Sequence, residues 1–107
     1  MAERKNNLVT IRMNDRDRET LEYLSERMDR SKTDTIMRAC KFFSSSGYKG
    51  FNEDISQEKA RKSHYVHMRV TDSDKIFLDE QCRESHKTVS QFVRKSLKAY
   101  YKSMKGY

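Results

Sequence analysis

The chain has no proline, no tryptophan and only three glycines in 107 residues. Because proline and glycine are the strongest local interrupters of regular structure, their scarcity leaves few obvious breaks. Gly47 and Gly50 both fall in the stretch SSSGYKG at 44–50. The sequence therefore predicts one main interruption, close to the middle of the chain.

Cysteine and histidine are also scarce, with two and three copies. Cys40 and Cys82 show no CxxC spacing and have no His/Cys cluster around them, which argues against a zinc site. The chain has no glycine-rich loop and no paired Cys/His constellation, so little in it suggests catalysis. We expect no catalytic residues, no metal and no cofactor.

Long apolar runs are missing too. No stretch approaches the about 18 apolar residues that span a bilayer. The first residues, MAERKNNLVT, lack the apolar region of a signal peptide. We therefore expect a cytoplasmic protein with no membrane partner.

Charge is what the sequence has in abundance. Charged residues make up 36% of the chain, hydrophobic residues 35%, and the formal net charge is +7. Such an excess favours a polyanionic partner, because neutralising phosphates releases condensed counterions. On charge alone, a nucleic-acid partner and a merely soluble basic protein remain open.

The most informative feature is a repeat. Residues 8–43 align without a gap with residues 65–100, so that adding 57 carries Arg12 to Arg69. A repeat this short cannot bury its own apolar face, so the two copies are expected to fold against each other.

Each copy is predicted to form one strand and two helices. Apolar and polar residues alternate over 8–13, as in a strand with one buried face, and the helical periodicity that follows ends near residues 28 and 44. The second copy predicts helices over about 72–85 and 89–103. The predicted organisation is an arm (1–7), a first repeat (8–44), a linker (45–63), a second repeat (64–103) and a tail (104–107).

Local signals mark where the first helix of each copy begins and ends. Asn14 with Asp17 resembles a capping box, and Thr71 occupies the same place in the second copy. Asp29 and His86, which align with each other, tolerate a left-handed backbone and could close these helices.

The first helix of the second copy has the poorer apolar stripe. Gln81 and Ser85 replace two apolar residues of the first copy. We expect Ile76 and Phe77 to recover part of the lost apolar area.

A lone strand leaves its backbone N–H and C=O groups without partners, so each strand must pair. The simplest partner is the strand of the other copy. The predicted fold is mostly α with a two-stranded antiparallel β-ribbon, built by two β-α-α repeats that form an intramolecular pseudo-dimer. The outer face of the ribbon is predicted to carry Leu8, Thr10, Arg12, Tyr65, His67 and Arg69.

That outer face carries an arginine at the same place in both copies, Arg12 and Arg69. A two-stranded ribbon fits the major groove of DNA, and arginine can bind guanine O6 and N7 with two hydrogen bonds. The alternative is that the two arginines are solubilising charges on an exposed edge.

The motif VTIRM-ND…LEYLSERM-DRSKTDTIMRAC and its counterpart VHMRV-TD…LDEQCRES-HKTVSQFVRKSL resemble the ribbon-helix-helix superfamily of the Arc, MetJ and CopG repressors. The resemblance covers about two thirds of the chain. It implies base contacts from the outward strand residues Thr10, Arg12, His67 and Arg69, with Leu8 and Tyr65 as further contacts. It implies phosphate contacts at the start of each second helix from Ser31, Lys32, Thr33, Lys87, Thr88, Val89 and Ser90.

The tandem form resembles accessory DNA-binding proteins of plasmid transfer, such as TraY. Because the two strands differ in sequence, the DNA site is expected to be asymmetric. The resemblance therefore implies double-stranded DNA as partner, possible side-by-side association on it, and possible contact with a relaxase or other transfer proteins. It also implies association with the nucleoid or a plasmid.

Two roles fit this expectation equally: a transcriptional repressor that occupies an operator, and a relaxosome accessory protein that binds near an origin of transfer. An antitoxin-type protein-interaction module fits less well, because only KSMKGY follows the second repeat. Duplex RNA also fits poorly, since a ribbon cannot enter the narrow major groove of the A-form.

Overall fold

The computed structural model describes residues 4–46 and 64–104. Residues 1–3 of the predicted arm, residues 47–63 of the predicted linker and residues 105–107 of the predicted tail lie outside the described residues. The elements, in chain order, are β1 (Asn7–Met13), α1 (Asp15–Met28), α2 (Lys32–Ser45), β2 (His64–Val70), α3 (Asp72–Ser85) and α4 (Val89–Met104). The described parts are mostly helical, with one two-stranded sheet.

The predicted helix starts are confirmed. The Asn14 side chain accepts a hydrogen bond from the Asp17 amide at 2.8 Å, and the Asp17 carboxylate accepts one from the Asn14 amide at 3.2 Å. This reciprocal capping box satisfies two amides that the first turn of a helix leaves without partners. Thr71 caps α3 with a single bond of this kind, since its hydroxyl accepts from the Asp74 amide at 3.1 Å.

The left-handed residues that end α1 and α3 are also confirmed. Asp29 has φ 53° and His86 has φ 56°. Their amides donate to the carbonyls of Glu26 and Arg83, at 3.2 and 3.4 Å. Each first helix is thereby closed, and the chain turns back within a few residues into the second helix.

The sheet is an antiparallel pair of β1 and β2. Its register runs from Asn7 opposite Val70 to Met13 opposite His64. Side chains alternate across a strand, so one face of the pair is turned to the helices. Five inward side chains are buried and that of Val66 is half-buried; the buried five are Val9, Ile11, Met13, Met68 and Val70.

All four helices contribute to the core beneath this sheet. Phe43 of α2 and Phe92 of α4 are both buried, with ring centroids 5.7 Å apart. The inner face of α2 includes four buried residues: Ile36, Met37, Cys40 and Phe43. No described helix is long and apolar enough to cross a membrane.

The poorer packing predicted for α3 is confirmed, because Leu78 is its one buried residue. The expectation for Ile76 was wrong, since 58% of this residue is exposed. At about 100° per residue, Ile76 lies some 200° around the helix from Leu78 and therefore on the outer face. Phe77 is half-buried and does pack against the core.

The strand and helix ends differ slightly from the prediction. Asn7, assigned to the arm, begins β1, where it lies opposite Val70. Its side-chain amide donates to the Val70 carbonyl at 3.3 Å and to the Asp72 carboxylate at 2.8 Å. The second helices each extend one residue further than expected, to Ser45 and Met104.

Both cysteines have thiols that resist ionisation. Burial raises the pKa of the fully buried Cys40 thiol to about 12. Burial also raises the pKa of Cys82, which is only half-buried on α3. Since the thiolate is the reactive form, both the protonation and the access of Cys40 oppose modification.

We predict that a thiol reagent at pH 8 modifies Cys40 at least about 100-fold more slowly in the folded chain than in concentrated urea, because the reaction needs a solvated thiolate. Mass spectrometry of the modified peptides measures each site separately. Cys82 serves as the internal control and should react first. Fast modification of Cys40 in the folded chain would contradict the packing described above.

Candidate nucleic-acid interface

The outer face of the sheet brings together all six residues that the sequence places there. In the observed register Leu8 lies opposite Arg69, Thr10 opposite His67 and Arg12 opposite Tyr65, and all six are exposed. Leu8 and Tyr65 are among the most exposed large apolar residues described, at 56% and 58%. The face therefore combines two guanidinium groups, a hydroxyl, an imidazole and a phenol.

The strand backbone determines how closely these side chains approach one another. The Arg12 amide donates to Ser90 Oγ and its carbonyl accepts from Arg94, so both groups point away from β2. Backbone direction alternates along an antiparallel strand, so the outward pairs are of the non-hydrogen-bonded kind, in which side chains lie closest. The outward side chains of β1 and β2 consequently form two closely spaced rows.

A side-chain hydrogen bond lies at the middle of this face. Thr10 Oγ1 and His67 Nδ1 are 3.0 Å apart. The bond fixes the two side chains relative to each other, and it uses one of the two ring nitrogens of His67. A hydroxyl oxygen and the Nε2 of the ring remain for a further partner.

The residues predicted to contact phosphate lie at the starts of α2 and α4, where two of their hydroxyls also cap the helices. Ser31 accepts from the Asp34 amide at 3.1 Å, and Thr88 accepts from the Gln91 amide at 3.2 Å. Gln91 in turn accepts from the Thr88 amide at 3.0 Å, which completes a capping box. Lys32 is exposed, and Thr33, Lys87 and Val89 are half-buried.

Both helix starts lie beside a strand arginine. Ser90 accepts the hydrogen bond of the Arg12 amide at 3.0 Å. Thr33 and Arg69 line one cleft of about 390 Å³. The structure therefore brings each predicted phosphate-contact cluster to the edge of the ribbon.

The cleft beside Arg69 is rich in positive charge. Four cationic and two acidic side chains line it, with Thr33 and Met37; the charged residues are Lys5, Arg38, Lys41, Arg69, Asp34 and Asp74. The Asp34 carboxylate accepts hydrogen bonds from Arg38 and Arg30, both at 3.1 Å. These bonds, that of Arg38 first, lower the pKa of the Asp34 carboxyl.

Sequence reasoning missed one residue that contacts this site, the buried Arg94 of α4. Its guanidinium donates to the Arg12 carbonyl at 2.9 Å, and its Nε lies 3.7 Å from the Asp17 carboxylate. Only 6% of Arg94 is exposed. The available signal was its place between Val93 and Leu97, two buried residues of the same helix.

No protein-family model, curated protein or solved structure matches the chain. Within residues 4–46 and 64–104, no three His, Cys, Asp or Glu side chains are grouped so as to hold a metal ion. The chemistry that the described surface offers is that of the ribbon face and its flanks: cations, hydrogen-bonding groups and two exposed apolar side chains.

We predict that the buried Asp17–Arg94 pair stabilises the fold. Asp17→Ala should lower the free energy of unfolding by about 3 kcal/mol, because it removes the carboxylate that balances the charge of the buried Arg94 and also removes half of a capping box. Asp74→Ala is the matched control. Asp74 stands at the corresponding place, but it is more exposed, and its contact with Lys41 at 3.3 Å is an ion pair near the surface.

We expect Asp74→Ala to cost less than about 1 kcal/mol from the loss of this pair. Urea denaturation followed by circular dichroism measures both variants. Equal losses of unfolding free energy in the two variants would show that the buried Asp17–Arg94 pair stabilises the fold no more than the Asp74–Lys41 pair does.

Proposed function

We propose that the chain is a tandem ribbon-helix-helix protein, an intramolecular pseudo-dimer that binds double-stranded DNA in a sequence-specific manner and regulates transcription by occupying an operator. The observation that carries the proposal is the exposed outer face of the β1–β2 pair, with its double row of arginine and hydrogen-bonding side chains.

Contacts at the two ends of the ribbon support a pseudo-dimer. Asn7, at the start of β1, donates to Asp72, at the start of α3. The offset of 57 makes His64 the counterpart of Asn7, and Asp72 the counterpart of Asp15. His64 and Asp15 also contact each other. A pair of equivalent contacts that each join one half to the other is what a two-fold arrangement produces.

Contacts at the centre of the ribbon and in the helices also join the two halves through equivalent residues. Thr10 lies opposite His67, its own counterpart, as a two-fold axis through the centre of the register would require. Asp17 of α1 pairs with a cation on α4, and its counterpart Asp74 of α3 pairs with a cation on α2. Each half thus uses the other as the partner it would find in a dimer.

The groups on the outer face suit the floor of the major groove. A two-stranded ribbon has the width to enter this groove, where each base pair shows its own pattern of donors and acceptors. Arg12 and Arg69 can each bind guanine O6 and N7. Thr10 and His67 offer a hydroxyl and a ring nitrogen, and Tyr65 is suited to the sugar-phosphate edge.

Charge supports a phosphate-rich partner beside the ribbon. The formal net charge is +7, and four cations line the cleft at the start of α2. The start of a helix favours anions, because its free amides and its dipole point at the ligand. DNA phosphates that flank the occupied groove would meet these two helix starts.

The register also supports an asymmetric site. Arg12 lies opposite Tyr65, whereas Arg69 lies opposite Leu8. The two ends of the ribbon therefore present different neighbours around each arginine. A palindromic operator would not match both ends equally well, so we propose a DNA site without two-fold symmetry.

Arg12→Ala and Arg69→Ala test the proposal directly. Each should weaken binding to the preferred duplex by about 1–3 kcal/mol and relax the preference at one base pair, because each removes a bidentate contact. The preferred duplex is first obtained by selection from a randomised pool, and affinities are then measured by fluorescence anisotropy. An A-form RNA duplex is the control and should compete weakly.

Two outcomes would count against the proposal. If the wild-type chain enriches no sequence from the pool, sequence-specific binding is wrong. If Arg12→Ala and Arg69→Ala weaken binding to every duplex equally, the arginines contact phosphates and the ribbon does not read bases.

Salt dependence tests the electrostatic part. The logarithm of the binding constant should fall linearly with the logarithm of salt concentration, with a slope of about −0.9 for each phosphate neutralised. Anisotropy titrations at several salt concentrations measure the slope. Lys41→Gln should reduce the slope by about one if Lys41 neutralises a phosphate in the cleft beside Arg69. Binding insensitive to salt would contradict the role assigned to the positive charge.

A further inference from the structure

We infer that Ser90 and Arg94 of α4 hold the backbone of Arg12 from outside the ribbon and so position its guanidinium, which makes Arg12 the fixed base-reading arginine and Arg69 the adaptable one. The inference rests on the proposed function, since it assigns unequal roles within the same DNA-reading face. Ser90 and Arg94 act here as positioning residues.

Two hydrogen bonds from α4 hold Arg12. Its amide donates to Ser90 Oγ at 3.0 Å, and its carbonyl accepts from Arg94 Nη1 at 2.9 Å. In a two-stranded ribbon both long edges carry unpaired backbone groups. At Arg12 the helix supplies both partners, so the strand cannot shift along or away from α4 without breaking a hydrogen bond.

The anchor is itself rigid. Arg94 is buried, and its Nε lies 3.7 Å from the buried carboxylate of Asp17. Asp17 belongs to the capping box of α1 with Asn14. The planar guanidinium therefore joins three elements, α4, α1 and the end of β1, with donors in a fixed fork. The backbone position of Arg12 is therefore determined by buried groups and not by a surface contact.

The other half of the ribbon has no equivalent of Arg94. Adding 57 to Met37 gives Arg94, so a buried methionine occupies the corresponding place under β2. A thioether has no proton to donate, so this position cannot hold the Arg69 carbonyl. Thr33, the counterpart of Ser90, instead lines the open cleft that Arg69 shares with Lys5 and Lys41.

Because Arg12 and Arg69 are anchored unequally, they should differ in how their discrimination between bases depends on α4. Bidentate binding of guanine requires the guanidinium to lie within about 0.5 Å of the productive position, and such precision comes from the groups behind the contact residue. Loss of the anchor should therefore reduce discrimination at the base pair read by Arg12. Discrimination at the base pair read by Arg69 should not change.

The experiment uses the full chain and duplexes selected from a randomised pool. Arg12→Ala and Arg69→Ala first identify the base pair that each arginine reads. Discrimination at both base pairs is then measured in Arg94→Met, which installs the residue found at the counterpart position, and in Ser90→Ala. We expect each of these two variants to lose about tenfold in discrimination at the Arg12 base pair alone, part of what a bidentate contact supplies.

Ser96→Ala is the matched control on the same helix. The Ser96 hydroxyl is buried and donates to the Phe92 carbonyl at 2.7 Å, within α4 itself. This variant should keep discrimination at both base pairs. Circular dichroism establishes that each variant is folded, and Ser90→Ala, the milder change, decides the question if Arg94→Met does not fold.

The outcomes separate the inference from the proposed function. Unchanged discrimination in folded Ser90→Ala overturns the inference, while Arg12→Ala still relaxing one base pair leaves the proposed function standing. Uniform loss of affinity on all duplexes would make Ser90 a phosphate contact and also overturn the inference. A wild-type chain that enriches no sequence overturns the proposed function, and the inference with it.

Discussion

The pairing of β1 with β2 determines both the shared core and the exposed polar face. Each strand alone would leave a row of backbone donors and acceptors without partners, and each half alone has too few apolar residues to bury. Pairing satisfies one edge of each strand and brings the two halves over one core. The same pairing separates an inner apolar face from an outer polar one, because side chains alternate along a strand.

The two halves differ in how they pack against the shared core. Arg94 is a buried cation where the first half has Met37, and burying a charge is costly unless it is paired and hydrogen-bonded. Here the Arg12 carbonyl and the Asp17 carboxylate meet that requirement. The second half compensates in part for the thin apolar stripe of α3 with a long α4, whose Tyr101 packs on Tyr23, ring centroids 5.3 Å apart.

Periodicity and capping predicted most of the architecture from the sequence. The helix starts at Asn14 and Thr71 and the left-handed turns at Asp29 and His86 depend on neighbouring residues, so local signals sufficed. Alternation likewise predicted which strand residues point outward. The Arg94 anchor escaped prediction because its partners lie far away in the chain, and a charged residue on a helix is usually solvated. Ile76 was misplaced because its angular position about the helix axis, and not its hydrophobicity, decides its exposure.

The central claim is that side chains of the ribbon face enter the major groove of duplex DNA. The most direct measurement is an isotope-filtered NMR spectrum of the labelled chain bound to an unlabelled, selected duplex. We expect nuclear Overhauser effects from Thr10 and His67 to major-groove protons, such as cytosine H5 and thymine methyl groups. Effects that reach the DNA only from the helices, or only minor-groove protons, would contradict it.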